Sequence, residues 1–174
     1  MSQFIYELKR KKKLLCELHD FPEGTMAIGR LDEDSEGLLL LTTDGKISEL
    51  IRSRKVEKEY FAQVDGIITR EAVGRLQSGV EIGFNGQRYI TRKCQAKLIP
   101  PPSFPPRTQK IRDDRHGPTS WVSITLTEGK FRQVRKMTAA VGFPTLRLIR
   151  VRVGNIQLGD LLSGEVKEVT EFEI

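Results

Sequence analysis

The sequence has few residues that could hold a metal or form a disulfide. Its 174 residues include only two cysteines, Cys16 and Cys94, and two histidines, His19 and His116. Because the cysteines form no Cys-x-x-Cys pair, the sequence favours two reduced thiols over a zinc or redox site. The histidines are equally isolated, which argues against a zinc centre and against a Ser-His-Asp triad.

Long apolar stretches are missing as well. No run of about 18 apolar residues, the length that a transmembrane helix needs, occurs in the chain. The N-terminal part carries a basic run over residues 9–13 with no apolar stretch after it, whereas a secretory signal places its charge before an apolar segment. We therefore expect a cytoplasmic protein that does not associate with a membrane.

Positive charge, in contrast, is plentiful. The chain has 29 lysines and arginines against 23 acidic residues, a net charge of +6, and it is of a length typical of one domain. A basic domain suits a polyanion, because each neutralised phosphate releases counterions and steers association. Charge alone leaves two interpretations open, a nucleic-acid-binding protein and a basic protein with no such partner.

The apolar pattern predicts strands and helices that do not strictly alternate. We expect strands over residues 25–28, 38–43, 58–64, 80–82, 89–98, 121–126, 146–153 and 166–169. We expect helices over residues 9–17, around 47–51, and over 69–79 and 131–141. Residues 100–118 are rich in proline and basic residues and predict a long loop. Since strands outnumber helices, the fold class is α+β with a largely antiparallel sheet.

The densest functional pattern is the polar segment 29–37, Gly-Arg-Leu-Asp-Glu-Asp-Ser-Glu-Gly. Its glycines permit tight backbone geometry, and its arginine and carboxylates could serve catalysis. From composition alone it could equally be a solvated acidic loop. A metal site at Asp32, Asp34 and Glu36 is a further interpretation, although the calcium-loop pattern is broken by Glu36 and the apolar run after it.

Four blocks of the sequence resemble, in order, the motifs of pseudouridine synthases of the RsuA branch. They are Gly29-Arg-Leu-Asp32 continuing through Ser35 to Gly45, Lys58-Glu-Tyr60, the segment 128–137 (Glu-Gly-Lys-Phe-Arg-Gln-Val-Arg-Lys-Met), and residues 146–150 with 158–165. Residues 118–121 and 141–150 look most like a subgroup that modifies a uridine of large-subunit ribosomal RNA and lacks the S4 domain. The resemblance implies a pseudouridine synthase fold, a mixed, mostly antiparallel sheet flanked by helices with a central active-site cleft.

The resemblance also implies roles for individual residues. Asp32 would be the catalytic carboxylate, Arg135 would orient it and lower its pKa, and Tyr60 would stack on the uracil and help remove the proton at C5. RNA would be bound by Arg30, Lys58, Lys130, Arg132, Gln133 and Arg150, with the loop 107–115 as a further anchor. The isomerisation involves no redox change, so neither a cofactor nor a metal is expected.

The N-terminal part departs from the branch pattern. Most proteins of the branch begin their catalytic domain with a strand that carries a Lys-Pro pair, whereas this sequence has no such pair and only 31 residues before Asp32. We expect a basic segment over residues 1–24, a remnant of a truncated first strand or helix, ahead of a catalytic domain over 25–174 without an S4 domain.

Three functions compete at this point. An isomerase that converts a uridine of large-subunit (23S) ribosomal RNA to pseudouridine is the first, acting as a monomer. The second is a non-catalytic RNA-binding or ribosome-assembly module that retains the fold, and the third is a metal-dependent nuclease built on the carboxylates around Asp32.

Overall fold

The computed structural model of the protein describes residues 14–53, 56–107, 111 and 116–172. Its α-helices are α1 (Gly45–Ser53), α2 (Arg70–Ser78) and α3 (Gln133–Ala140), and Leu15–Glu17 forms one 3-10 turn. Its strands are β1 (Met26–Ala27), β2 (Glu36–Gly37), β3 (Leu41–Thr42), β4 (Lys58–Asp65), β5 (Glu81–Phe84), β6 (Gln87–Ile90), β7 (Gln95–Ile99), β8 (Thr119–Leu126), β9 (Thr145–Val153) and β10 (Ile156–Gln157). None of the described helices is both long and apolar enough to span a membrane.

A six-stranded sheet forms the centre of the molecule, with the order β10-β9-β4-β8-β7. Neighbours along this path are antiparallel, and the short β2 joins β9 in parallel. Two small two-stranded sheets, β1-β3 and the β5-β6 hairpin, lie apart from it. The α+β class with a mostly antiparallel sheet is confirmed.

Helices α2 and α3 cover one face of this sheet. Their apolar residues, among them Leu76 and Met137, both fully buried, pack with Val122 and Ile124 of β8 in the main core. Helix α2 begins and ends as the sequence predicts, since the Thr69 hydroxyl caps the Ala72 N–H and Gly79 stops it with φ +96°. A long β8 strand buried on both faces ties this core to the smaller cluster around Trp121 on the opposite face.

A separate apolar cluster supports the polar segment from below. Ile28 and the alternate residues Leu38 and Leu40 pack with Ile51 of α1 and Val153 at the end of β9. The apolar run 38–43 is therefore not the single strand that the sequence predicts. The chain pairs with β9 through β2, leaves it at Leu38, and pairs with β1 only at Leu41–Thr42.

Two other strand predictions are wrong. Residues 89–98 divide between β6 and β7, which belong to different sheets. The residues between these strands form hydrogen bonds with α2 and the chain just after it. The Thr91 N–H donates to Val80 O, and the Cys94 N–H donates to Gln77 O. Residues 166–169 form no strand, and Val166 and Val169 are exposed.

Smaller differences concern the ends of elements and the long loop. Helix α3 starts at Gln133 rather than at 131, after Arg132 adopts a left-handed conformation with φ +53°. The described residues of 100–118 contain no strand or α-helix, as predicted for a loop. Most of the predicted RNA anchor 107–115 lies outside the described residues. So does most of the helix expected over 9–17, whose described end is the single 3-10 turn.

Candidate active site

The polar segment 29–37 leads from β1 into β2, where it joins the central sheet. Gly37 pairs with Arg150 of β9 and has φ +102°. A Cβ at this position would overlap the Arg150 backbone, lying 2.7 Å from its nitrogen. The close approach and the positive φ both require glycine, so the sequence pattern at the end of the segment is explained by its pairing with β9.

Tyr60 of β4 lies beside β9, on the edge opposite to the one that pairs with β2. Arg150 is in register with Gly37 on one edge of β9 and with Tyr60 of β4 on the other. With strands about 4.8 Å apart, the end of the polar segment and Tyr60 are roughly 10 Å apart across the sheet. Tyr60 is half-buried and packs at the edge of the main core. Two motifs that are separate in the sequence are thus brought close by a third element.

Arg150 itself faces inward and holds the segment. It is only 5% exposed, and its Nε donates to Leu38 O at 2.7 Å while its Nη1 donates to Arg30 O at 3.4 Å. These carbonyls flank the segment on both sides of Asp32. The sequence predicted a phosphate contact for Arg150, but its burial and its partners favour a positioning role.

Asp34 is bound by arginines that lie far from it in sequence. Arg132 makes a bidentate pair with its carboxylate, both contacts 2.8 Å. Arg135 Nη2 and Arg107 Nη2 donate to the Asp34 carbonyl, at 2.7 and 3.0 Å. The hydrogen bonds from Arg132 hold the pKa of the Asp34 carboxyl below its ordinary value, assisted by the charge of Arg135 and opposed by partial burial.

Glu36 is bound in the same manner on the far side of the segment. Arg147, which is 9% exposed, donates from Nε and Nη2 to the two Glu36 carboxylate oxygens at 2.9 and 2.8 Å. Arg107 Nε lies 3.7 Å from Glu36 as well. Bidentate arginine-carboxylate pairs of low exposure fix orientation as well as distance.

Asp32 lies between these anchors but is held differently. Its side chain is 19% exposed, and its Oδ2 lies 4.0 Å from Arg132 Nη1, beyond hydrogen-bond distance. Its carbonyl accepts the Ser35 N–H at 2.9 Å, which closes a turn around it. Among the described residues, the carboxylate of Asp32 therefore sits in a positive environment without the bidentate arginine partner that Asp34 and Glu36 each have.

Arg135 reaches the segment through Asp34 and Ser35. Besides the Asp34 carbonyl, its Nη2 lies 3.4 Å from Asp34 Oδ2 and 3.4 Å from Ser35 Oγ. Burial lowers the pKa of Arg135, the Asp34 charge opposes this, and the nearby Arg132 adds to the lowering. Its role in orienting Asp32 stays a prediction, because the contacts observed are with Asp34 and Ser35, two and three residues after Asp32.

Two predicted RNA-binding cations lie over aromatic rings. The Arg30 guanidinium is 5.5 Å from the centroid of Phe131, and Lys130 Nζ is 4.9 and 5.0 Å from those of Phe84 and Tyr89. Arg30 is exposed and Lys130 half-buried. Both remain candidates for contact with a phosphate or a base.

Lys58 is less suited to bind phosphate. Its Nζ donates to Val56 O at 3.0 Å, and burial, together with the charge of Arg150, lowers its pKa. Lys58 stands two residues before Tyr60 in β4, so the two side chains are on the same face of the sheet.

Gln133 is buried, and its amide forms hydrogen bonds within the protein. It is 3% exposed; its Nε2 donates to Glu128 Oε1 at 2.5 Å and its Oε1 accepts the Lys130 N–H at 2.9 Å. The Tyr89 hydroxyl donates to the other Glu128 oxygen at 2.6 Å. Burial works to raise the pKa of Glu128, but these hydrogen bonds outweigh it and leave the pKa lowered. Both ends of the Gln133 amide are thus used within the protein, which favours a positioning role over the predicted RNA contact.

Sequence reasoning missed the ion pairs that hold the segment. The pairing of Asp34 and Glu36 with arginines such as Arg107 and Arg147 has no local signal, since the partners are more than 70 positions apart. Among the residues that the structure describes, no three His, Cys, Asp or Glu side chains gather closely enough to hold a metal.

Comparison with known proteins identifies the chain's relatives. The sequence profile described as RNA pseudouridylate synthase matches residues 5–140. The chain is 42% identical over 145 residues to ribosomal large subunit pseudouridine synthase E of Vibrio parahaemolyticus, covering 82% of this chain and 59% of that protein. It is 40% identical over 164 residues to the protein of the same name in Xanthomonas axonopodis pv. citri, covering 92% and 84%.

Other similarities widen this picture. Ribosomal large subunit pseudouridine synthase B of Bacillus subtilis is 31% identical over 168 residues, covering 95% of this chain and 62% of the relative. The chain thus spans about three fifths of some relatives and more than four fifths of others. A crystal structure of a pseudouridylate synthase superposes with a TM-score of 0.70 at 27% identity, covering 87% of this chain and 60% of the other.

Proposed function

The chain belongs to the RNA pseudouridylate synthase family, and from that premise we propose that it isomerises a specific uridine of large-subunit ribosomal RNA to pseudouridine. The relatives that share its motifs carry names of ribosomal large subunit pseudouridine synthases. Asp32 is the catalytic carboxylate in this proposal. The contrast between Asp32 and its neighbours carries the assignment.

The three carboxylates differ in how they are paired with arginines. The carboxylates of Asp34 and Glu36 are committed to bidentate pairs with arginines, whereas the Asp32 carboxylate is 4.0 Å from its nearest paired arginine and partly open to solvent. A reacting carboxylate has to keep lone pairs available for the substrate. The surrounding arginines keep the site positive, which suits the phosphates of an approaching RNA.

The reaction needs no oxidant or reductant. The N1–C1′ bond of the uridine breaks, the uracil turns, and a C5–C1′ bond forms; C5 loses its proton and N1 gains one. Asp32 promotes the departure of the base from C1′, as carboxylates do in glycosidic chemistry. The target uridine has to leave its base stack first, at a cost of a few kcal/mol.

Tyr60 and Arg135 complete the site in this proposal. Tyr60 offers a ring face to the uracil and a hydroxyl near C5, and it lies across β9 from the end of the Asp32 segment. Arg135 acts as a positioning residue, because its contacts are with Asp34 and Ser35 in the turn that presents Asp32.

RNA contacts fall to cations around the segment that are exposed or half-buried. Arg30, two residues before Asp32, fills the space that the displaced uridine vacates, and Lys130 binds a neighbouring phosphate. Arg132 pairs with Asp34 and also lies near Asp32, so it both positions the segment and contributes a positive charge next to the bound RNA. Non-specific phosphate contacts would make binding weaken steeply as salt rises.

The proposal is tested by mapping pseudouridine in unmodified large-subunit ribosomal RNA after incubation with the purified chain. Carbodiimide-blocked reverse transcription gives a stop at each modified uridine. A single new stop with the wild type, absent with Asp32→Asn, is the expected result. Stops at no position, with RNA still bound, would contradict it and favour the ribosome-assembly module.

A chelator distinguishes the remaining alternative. A nuclease that relies on metal bound near Asp32 would lose activity in EDTA and would shorten the RNA. The isomerase leaves the length of the RNA unchanged and keeps its activity in EDTA. Cleavage products that EDTA abolishes would therefore overturn the proposal.

A further inference from the structure

Phe131 is an aromatic side chain that the fold does not use for its core. It is 51% exposed and precedes α3, while the helix buries Val134 and Met137 in the main core. A phenylalanine exposed to this degree gives up much of the stabilisation that burying it would contribute. Its exposure is therefore not explained by packing.

Two cations lie against the Phe131 ring. The Arg30 guanidinium and Lys136 Nζ are each 5.5 Å from the ring centroid. Lys136 is held in place, because its Nζ also donates to Gly83 O at 2.8 Å in the β5-β6 hairpin. The ring is thus an exposed flat surface with fixed positive charge beside it, and half of the side chain remains open despite these neighbours.

The position of this ring connects it to the Asp32 segment on both sides. Arg30 stands two residues before Asp32, and the residue that follows Phe131 is Arg132, which pairs with Asp34 and lies 4.0 Å from Asp32. Arg132 has a left-handed backbone, φ +53° and ψ +35°, which non-glycine residues seldom adopt. This conformation directs the Arg132 side chain to Asp34 of segment 29–37, while Phe131 remains at the surface.

We propose that Phe131 is a base-stacking platform for an unpaired nucleotide of the RNA that flanks the target uridine, with Lys136 binding the adjacent backbone. This inference rests on the proposed function, and it adds a contact outside the pocket of Asp32. Aromatic faces bordered by cations are how proteins hold single-stranded nucleic acid, because every base has a π face and every nucleotide a phosphate.

Stacking and phosphate contacts leave different signatures in salt titrations. In the Asp32→Asn background, Phe131→Ala should weaken binding of an RNA hairpin that carries the target uridine by roughly 5- to 150-fold, with the slope of log K against log salt unchanged. Lys136→Ala should instead lower the magnitude of that slope by about one. Phe131→Leu should bind as poorly as Phe131→Ala, and Phe131→Tyr should bind as wild type.

A control variant removes an apolar side chain of comparable exposure elsewhere. Ile67 is 61% exposed in the turn between β4 and α2, so Ile67→Ala should bind RNA as the parent does. Equal binding by Phe131→Ala and the parent would overturn the proposal. So would a loss that Phe131→Leu restores, since that would mean that any apolar side chain suffices.

Tryptophan fluorescence reports the stacking directly. The chain has one tryptophan, Trp121, which is 8% exposed and serves as an internal reference. In Phe131→Trp the added indole should be quenched when RNA binds, and an RNA with an abasic site beside the target should restore much of the signal. No quenching by RNA that demonstrably binds would contradict the platform.

These readouts separate the platform from the isomerase proposal. Product formed by the wild type with no effect of Phe131→Ala on binding would leave the isomerase standing and refute the platform. Quenching with no product would support the platform and refute the isomerase. Absence of RNA binding by the parent itself would refute both.

Discussion

The Asp32 segment and the main core are held together by different forces. Segment 29–37 is fixed by arginines that donate to two carboxylates and to the carbonyls of Arg30, Asp34 and Leu38. The main core between α2, α3 and the sheet is fixed by apolar burial, with Leu76, Ile124 and Met137 fully enclosed. The contacts of the segment orient its carboxylates, whereas those of the core stabilise the fold.

This division has a physical reason. Apolar burial is strong but non-directional, so it can stabilise a core without setting the angle of one carboxylate. Bidentate arginine pairs add modest net free energy, because desolvation offsets much of the attraction, yet they fix geometry. Under the proposed function segment 29–37 stays polar and accessible to RNA, so the orientation of its carboxylates depends on the arginine pairs, while the apolar cluster around Leu38 adds stability.

The largest effect on stability should come from the core. Leu76→Ala removes a side chain with no exposed surface, so we expect the free energy of unfolding to fall by about 2–5 kcal/mol. Urea denaturation of wild type and variant measures it. Turnover per folded molecule should stay unchanged, because the core does not set the angle of Asp32.

The exposed residue Ile67 supplies the control. Ile67→Ala should change the free energy of unfolding by less than about 0.5 kcal/mol. Equal losses for Leu76→Ala and Ile67→Ala would contradict the assignment of the core.

Gly37 lies where the two regions meet. Gly37→Ala should cost roughly 3 kcal/mol, since a Cβ there meets the Arg150 backbone and φ is +102°. Turnover per folded molecule should fall as well, because β2 can no longer pair with β9 beside Tyr60. Calorimetry and a single-turnover assay measure the two effects separately.

Gly74 is the matched glycine of the core region. It lies within α2, where an added Cβ would meet no atom within 4 Å and where φ is not positive. Gly74→Ala should therefore raise the stability by about 0.5–1 kcal/mol and leave turnover unaffected. Destabilisation by Gly74→Ala to the level of Gly37→Ala would show that the Arg150 contact is not the cause.

The smallest effect is expected from acid. Because the folded pKa of Asp34 lies below the ordinary value of 3.8, its contribution to stability is present above that value and is lost as the pH falls through the folded pKa. Asp34 is 39% exposed, so solvent screening limits the contribution to less than about 1 kcal/mol. Wild type should lose more stability than Asp34→Asn between about pH 5 and pH 2, and parallel curves would contradict the role of the pair.

The same division explains what the sequence could predict. The core elements follow local rules: the sequence predicts α2 from its Thr69 cap to its Gly79 stop, and β4 and β8 from their apolar patterns. Strand predictions fail where tertiary pairing decides, as at residues 89–98, which change sheets without any break in their pattern.

The site was predictable only in part. The motif identifies the segment around Asp32, but its anchors come from residues that are 73 to 120 positions away, such as Arg107, Arg132 and Arg150. A sequence offers no local pattern for such pairs. Arg150 and Gln133 show the converse, because polar residues that suggested RNA contacts are buried and bonded to the protein's own carbonyls and carboxylate.

The central claim is that Asp32 reacts whereas Asp34, two residues away, positions it. Turnover and free energy of unfolding should be measured side by side for Asp32→Asn and Asp34→Asn. We predict that Asp32→Asn lowers turnover at least roughly 10³-fold with stability changed by less than about 0.5 kcal/mol. Asp34→Asn should lower turnover only about 10- to 100-fold and lower the free energy of unfolding by less than about 1 kcal/mol. Substantial turnover by Asp32→Asn, or complete loss with Asp34→Asn alone, would contradict this account.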